Sequence, residues 1–183
     1  MDPYALPDGL PVPEDDSAAD HVPGLELPDV TLESSQGPVN LAELAHERLV
    51  LYVYPRAGRP GRPMPPGWDD IPGARGCTPQ SCGFRDHAAE LAAFGARVAG
   101  LSAQSLGDQV EFATRNRMPF PIVSDEGLEL ARALGLPTFE VEGSTLYKRL
   151  ALVAEDGRIV RVFYPVFPPD RNADEVLAWM SSR

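Results

Sequence analysis

The sequence predicts an α/β fold in which a mixed central sheet carries helices on both faces. Three observations lead there. The run Leu49-Val50-Leu51-Tyr52-Val53-Tyr54 is β-rich and nearly all apolar, the pattern of a strand buried on both faces. Downstream of it, short apolar runs alternate with segments of helical periodicity. The chain then closes with two strands joined through Asp156-Gly157, a tight-turn pair, followed by one more helix.

Each element has its own signal. Asp29 to Glu33 and Pro38 to Asn40 predict a short hairpin around Gln36-Gly37, and Arg48 to Tyr54 is the central strand. A helix starts beside Cys77, where Thr78 offers a capping hydroxyl and Pro79 takes the first helical position. Phe84, Ala88 and Leu91, at spacings of four and three, carry that helix on as one buried stripe to Gly95. A strand at Arg97 to Ser102 comes next, then a helix near Leu106 to Asn116, bounded by Pro119. Ile122 and Val123 form a short strand, and a helix runs from about Glu126 to Leu134, ending at Gly135 and Pro137. Tyr147 to Ala154 and Arg158 to Phe163 are the closing strands, and Ala173 to Met180 the last helix. There is no internal repeat.

Composition narrows the function. With 183 residues and 43% apolar content, the chain supports one domain with a sizeable core. Residues 1–24 hold six acidic residues, five prolines and no lysine or arginine, and are expected to form an extended arm ahead of a domain over 25–183. No apolar run approaches the roughly 20 residues of a membrane span, and the N-terminus lacks a basic-then-apolar leader pattern, so a cytoplasmic protein without membrane contact is expected. A net charge of -11 argues against nucleic acid as a partner, since that role needs a basic footprint.

The chemistry sits in Arg75-Gly76-Cys77-Thr78-Pro79-Gln80-Ser81-Cys82-Gly83-Phe84-Arg85-Asp86, which holds the only two cysteines. At a helix N-terminus the unpaired N–H groups and the helix dipole favour an anion, so Cys77 is the candidate reactive thiolate. Five residues along an intact helix, Cys82 would have its Cα about 8 to 9 Å away, beyond the roughly 7 Å limit for a disulfide. A bond between them requires the first turn to unwind, and Gly83 and Pro79 lower the cost of that. The pair therefore reads as one oxidised during a cycle rather than a staple. A zinc site needs three or four ligands, and His21, His46 and His87 show no ligand spacing with the cysteines, so no metal is expected.

These residues resemble the active-site helix of the peroxiredoxin Q family, also called bacterioferritin comigratory proteins. Three other stretches agree: Leu49 to Pro55 with the strand entering the active-site loop, Phe120-Pro121-Ile122-Val123-Ser124-Asp125 with a Phe-Pro-x-x-Ser-Asp segment, and Lys148 to Val153 with the strand carrying the catalytic arginine. The resemblance covers roughly residues 25 to 182 and implies a thioredoxin-like fold. It also implies that Cys77 attacks hydrogen peroxide or an organic hydroperoxide to give a sulfenic acid. Cys82 then resolves this to an intramolecular disulfide, which a thioredoxin-type protein reduces. Arg149 matches the family's arginine, which holds the peroxide. The turn at Glu155-Asp156-Gly157 is one residue shorter than usual, which leaves Lys148 as the alternative at that position, with Arg132 a further candidate. No metal, haem or flavin is implied, and a disulfide within one chain allows a monomer.

The chain departs from the family in two places. Where the family has threonine or serine three residues before the peroxidatic cysteine, this chain has Ala74. A 21-residue link, Arg56 to Gly76, also separates Pro55 from Cys77, and ten of its residues are proline or glycine. So long a loop is functional or disordered in most compact domains. The expectation is that it folds over the mouth of the site, with Thr78, Trp68 or a loop backbone group taking over the missing hydroxyl's contacts; the alternative is a surface insertion without a catalytic role. Two rival functions stay open: a thiol-disulfide oxidoreductase, whose cysteines are separated by two residues rather than four, and a non-enzymatic redox switch.

Overall fold

The computed structural model describes residues 2–183. In chain order, β1 (Thr31–Leu32) and β2 (Val39–Asn40) make the expected hairpin and lead into α1 (Leu41–Leu44), whose first turn is capped by Asn40 Oδ1 accepting from the Glu43 N–H at 3.0 Å. Next come β3 (Arg48–Val53), α2 (Cys77–Asp86), α3 (Ala88–Ala93), β4 (Ala96–Ser102), α4 (Leu106–Arg115), β5 (Ile122–Ser124) and α5 (Glu129–Leu134). A second hairpin, β6 (Thr138–Val141) with β7 (Ser144–Tyr147), precedes β8 (Leu150–Glu155), β9 (Arg158–Phe163) and α6 (Asn172–Ser181).

The central sheet has five strands in the order β5-β4-β3-β8-β9. Strand β3 runs parallel to β4 and antiparallel to β8, with Leu51 opposite Ala99 on one side and Leu152 on the other. Its alternate side chains enter two cores. Val50 and Tyr52 pack with Phe84, Leu91, Phe112 and Val176 under α2, α3, α4 and α6, whereas Leu49, Leu51 and Val53 pack with Leu41, Leu130 and Leu134 under α1 and α5. Helices therefore cover both faces of a mixed sheet, the thioredoxin-like arrangement. Tyr52 stacks on Phe84 with ring centroids 4.6 Å apart, and this ring fits because the residue opposite it is Gly100, whose Cβ would lie 2.6 Å from the tyrosine ring.

The strand expected over Tyr147 to Ala154 begins only at Leu150, Tyr147 instead ending β7, and three further features differ from the sequence reading. The helix after Cys77 is not continuous to Gly95, since His87 leaves helical geometry at φ -101°, ψ 8° and separates α2 from α3. Helix α5 starts at Glu129, not Glu126, because Leu128 is left-handed at φ 54°. The β6–β7 hairpin, turned by Glu142 and Gly143 at positive φ, is an element the sequence reading did not contain. Among the described residues, no helix is long and apolar enough to cross a membrane.

The N-terminal segment lies along the domain. Ala19 and Val22 are buried in the α1/α5 core, and His21 Nε2 lies 2.9 Å from the Leu134 carbonyl at the end of α5. Further out, Asp16 accepts from Lys148 Nζ at 2.8 Å and from the Tyr164 hydroxyl at 2.7 Å, and these bonds hold its carboxyl down at about 2.

Candidate active site

Helix α2 begins at Cys77, two positions earlier than a Thr78 cap requires. The N-cap is Gly76, left-handed at φ 111° and without a side-chain cap, so Thr78 and Pro79 fall inside the first turn. Pro79 is harmless there, because the first N–H groups of a helix have no intrahelical partner. Gly76 is required twice over. Its φ suits glycine, and a Cβ would come within 2.5 Å of Pro169 Cγ and 2.9 Å of Leu6 Cδ2. The tight turn into α2 thus fits between the start of the last helical segment and the N-terminal arm.

Cys77 and Cys82 are both free and buried, at 3% and 9% exposure. Their surroundings differ. The Cys77 thiol lies 3.8 Å from the Ala74 carbonyl and receives Arg149 Nη2 at 3.2 Å. Cys82 lies one and a half turns further on, in the apolar layer with Phe84 and Ala173, and burial pushes its thiol up, opposed by the charge of Arg85.

Arg149 stands directly before β8 and is 4% exposed. Its guanidinium is held by oxygens: Nε donates to the Gly73 carbonyl at 3.3 Å, Nη2 to the Ala74 and Arg75 carbonyls at 2.9 and 3.3 Å, and Nη1 to Gln80 Oε1 at 2.6 Å. No carboxylate among the described residues forms an ion pair with it, so the ordinary salt-bridge role does not apply. A buried cation without a counter-ion is costly. The one group in its contact shell able to carry negative charge is the Cys77 sulfur. The alternatives fall away on geometry: Lys148 is bound to Asp16 on the arm, and exposed Arg132 turns back to the Gly127 carbonyl.

Two residues absent from the sequence reading complete this arrangement. Gln80, fully buried on α2, accepts from Arg149 and donates through Nε2 to Asn172 Oδ1 at 2.9 Å. Asn172, also fully buried, opens α6. The chain Asn172, Gln80, Arg149, Cys77 therefore ties α6, α2 and the entrance of β8 to the sulfur. Nearby, Tyr54 donates to Gln109 Oε1 at 2.9 Å, and burial together with the Cys77 charge pushes its hydroxyl well up, so it stays neutral.

The link from Arg56 to Gly76 packs against the domain and forms a wall of the site. Ala57 and Gln104 exchange two hydrogen bonds, at 2.8 and 3.2 Å, Arg115 donates to the Gly58 carbonyl at 2.9 Å, and Arg59 and Arg62 both reach Asp108 on α4. Trp68 is buried with Ala74 and Leu146 and lies 6.3 Å from the Phe139 ring. Ala74 thus contributes a methyl group to an apolar contact, and its carbonyl, rather than a hydroxyl, meets the sulfur and the guanidinium. The link lines an open cavity of about 720 Å³ that reaches Cys77 and Thr78, with Met64, Trp68 and several prolines in its wall and Pro3 of the arm at one side.

Comparison with known proteins gives the family. The family model described as Redoxin matches residues 22–177. Peroxiredoxin Q of Sedum lineare, a chloroplastic protein, is 29% identical over 160 residues, covering 87% of this chain and 77% of its own. Among solved structures, the peroxidoxin BcpB of Mycobacterium tuberculosis superposes with a TM-score of 0.70 at 29% identity, over 87% of this chain and 96% of its own. A bacterioferritin comigratory protein of Xanthomonas campestris, studied for its alkyl peroxide reduction activity, superposes with a TM-score of 0.67 at 27% identity, over 86% and 96%.

Proposed function

The chain belongs to the Redoxin family, and from that premise we propose that it is a thiol-dependent peroxidase for hydrogen peroxide and organic hydroperoxides. The observation that carries the proposal is the buried guanidinium of Arg149, 3.2 Å from the Cys77 sulfur and without a carboxylate partner among the described residues. It is charge-complementary to a thiolate and to the oxygen that departs when a peroxide bond breaks.

In the first step the Cys77 thiolate attacks the terminal peroxide oxygen. A sulfur–oxygen bond forms as the oxygen–oxygen bond breaks, the sulfur becomes a sulfenic acid, and the departing hydroxide or alkoxide takes a proton from water. Arg149 supports both sulfur and leaving oxygen. In the second step Cys82 attacks the sulfenic sulfur, water leaves, and an intramolecular disulfide remains. Since α2 is intact from Cys77 through Cys82, this step opens its first turn. A thioredoxin-type dithiol then restores both thiols by exchange. The cycle closes within one chain, so a monomer suffices, and a reducing compartment such as the cytoplasm supplies the dithiol. The alkyl peroxide reduction studied in the Xanthomonas protein supports the organic hydroperoxide part of the reading.

The test is turnover. Reduced protein supplied with hydrogen peroxide and a thioredoxin-type dithiol should consume peroxide continuously, and Cys77→Ser should consume none. Turnover retained in Cys77→Ser would reject Cys77 as the attacking group.

A further inference from the structure

Residues 73–76 position both partners of the site. The carbonyls of Gly73, Ala74 and Arg75 accept from Arg149, and Gly76 is the N-cap of the helix that begins with Cys77. The N-terminal arm touches this short stretch at three points. Pro13 Cβ stands 3.4 Å from where a side chain at Gly73 would begin, and Leu6 Cδ2 stands 2.9 Å from the same position at Gly76. Between these contacts the Asp2 carbonyl accepts from Arg75 Nη2 at 3.4 Å. Further along the arm, Asp16 binds Lys148, the chain neighbour of Arg149, and the Tyr164 hydroxyl.

The arm is not held equally along its length. Ala19 and Val22 are buried in the core and fix its inner end. Ahead of them, among the described residues, no backbone–backbone hydrogen bond joins residues 2–16 to the domain, and Leu6 and Pro13 are only half-buried. A segment with few buried contacts and no backbone ladder opens at low cost. Pro3, Pro7, Pro11 and Pro13 restrict the arm even when it is released, so laying it down again costs little entropy.

We infer that residues 2–16 form a strap that holds the first turn of α2 closed, so that Cys77 and Cys82 join only as the strap releases Gly76. Leu6 and Asp16 are its positioning residues; neither touches a sulfur. The strap fits the closed turn and loses that fit when Cys77 moves, and this difference in contact is what biases the turn toward the closed state. The coupling is reciprocal, so formation of the disulfide loosens the strap. The inference deepens the reading above, resting on its Cys77–Cys82 disulfide but not on peroxide as the oxidant.

The experiment equilibrates the full chain with glutathione and glutathione disulfide and reads the thiol and disulfide forms by mass after alkylation. In this exchange the two cysteines lose two electrons and two protons as one glutathione disulfide becomes two glutathiones. Leu6→Ser should move the equilibrium toward the Cys77–Cys82 disulfide by roughly fivefold, the scale of one half-buried aliphatic side chain. Asp16→Ala should move it the same way by up to about threefold, since its ion pair is partly exposed, and the exposed Asp8→Asn should not move it. In the unaltered chain, chymotrypsin should cut after Tyr4 about fivefold faster in the disulfide form than in the reduced form, because cleavage follows the released population. An equilibrium that neither Leu6→Ser nor Asp16→Ala shifts, or equal cleavage in the two forms, overturns the strap and leaves the peroxidase reading standing. The expected shifts in a chain that consumes no peroxide would support the strap and reject the peroxidase reading.

Discussion

The two ends of α2's first turns hold the same amino acid in opposite circumstances. Cys77, at the helix start, faces a cavity and a buried guanidinium at 3.2 Å. Cys82 sits in the apolar layer, where burial pushes its thiol up. Residue type therefore does not assign the roles; position along one helix does. The first cysteine has a cation to receive its charge and room for a substrate, while in the proposed cycle the second reacts only by leaving its place. In the proposed cycle, a disulfide between them opens the first turn of α2 as well as changing the oxidation state.

The sharpest way to break this comparison is to exchange each sulfur for oxygen. Cys77→Ser should abolish peroxide consumption, whereas Cys82→Ser should still consume one equivalent and stop at a sulfenic acid, trapped by a dimedone-type reagent. Equal losses in the two variants would erase the distinction. Arg149→Ala should slow oxidation of Cys77 by roughly 100-fold, the usual scale for removing one preorganised donor, with no comparable effect on reduction of the disulfide by a dithiol. Stopped-flow fluorescence of each half-reaction separates the two.

The glycines that flank the pair give the next contrast. Gly76→Ala should destabilise the fold by about 2 to 4 kcal/mol in urea denaturation, from left-handed strain and the contact with Pro169. Gly83→Ala meets only ordinary contacts, 3.5 Å to the Asp170 carbonyl and 3.7 Å to Ala173 Cβ. It should stabilise α2 by up to about 1 kcal/mol and slow disulfide formation roughly fivefold, because the turn that must open is firmer. The smallest effect concerns pH. With Cys82 raised by burial, the rate of the disulfide step should keep climbing above pH 9. A plateau near 8.5, the value of an unperturbed thiol, would mean that α2 opens before Cys82 ionises.

Much of this site was legible in the sequence for local reasons. A thiol beside Thr78-Pro79 marks a helix start within a few residues of itself, and the apolar run at 49–54 identifies a central strand without reference to the rest of the chain. What was not legible is tertiary. Gln80 and Asn172 are 92 positions apart, and neither carries a local signal until α2 and α6 pack together. The break at His87 also depends on packing, since its ring pairs with Glu90 at 2.7 Å and with Asp174 of α6 at 3.0 Å. Arg149 rather than Lys148 follows from the pairing of β3 with β8, which sets which side chain enters the core. The β6–β7 hairpin has alternating residues but only Glu142-Gly143 as a turn, a weaker signal than the Asp156-Gly157 pair that follows.

The central claim is that the Arg149 and Cys77 pair makes a reactive thiol despite Ala74. The most direct test is the rate at which the reduced protein loses its thiols to one equivalent of hydrogen peroxide, measured against free cysteine under the same conditions. The account predicts a rate orders of magnitude above free cysteine, ending in a Cys77–Cys82 disulfide within one chain. A rate close to that of free cysteine would contradict it.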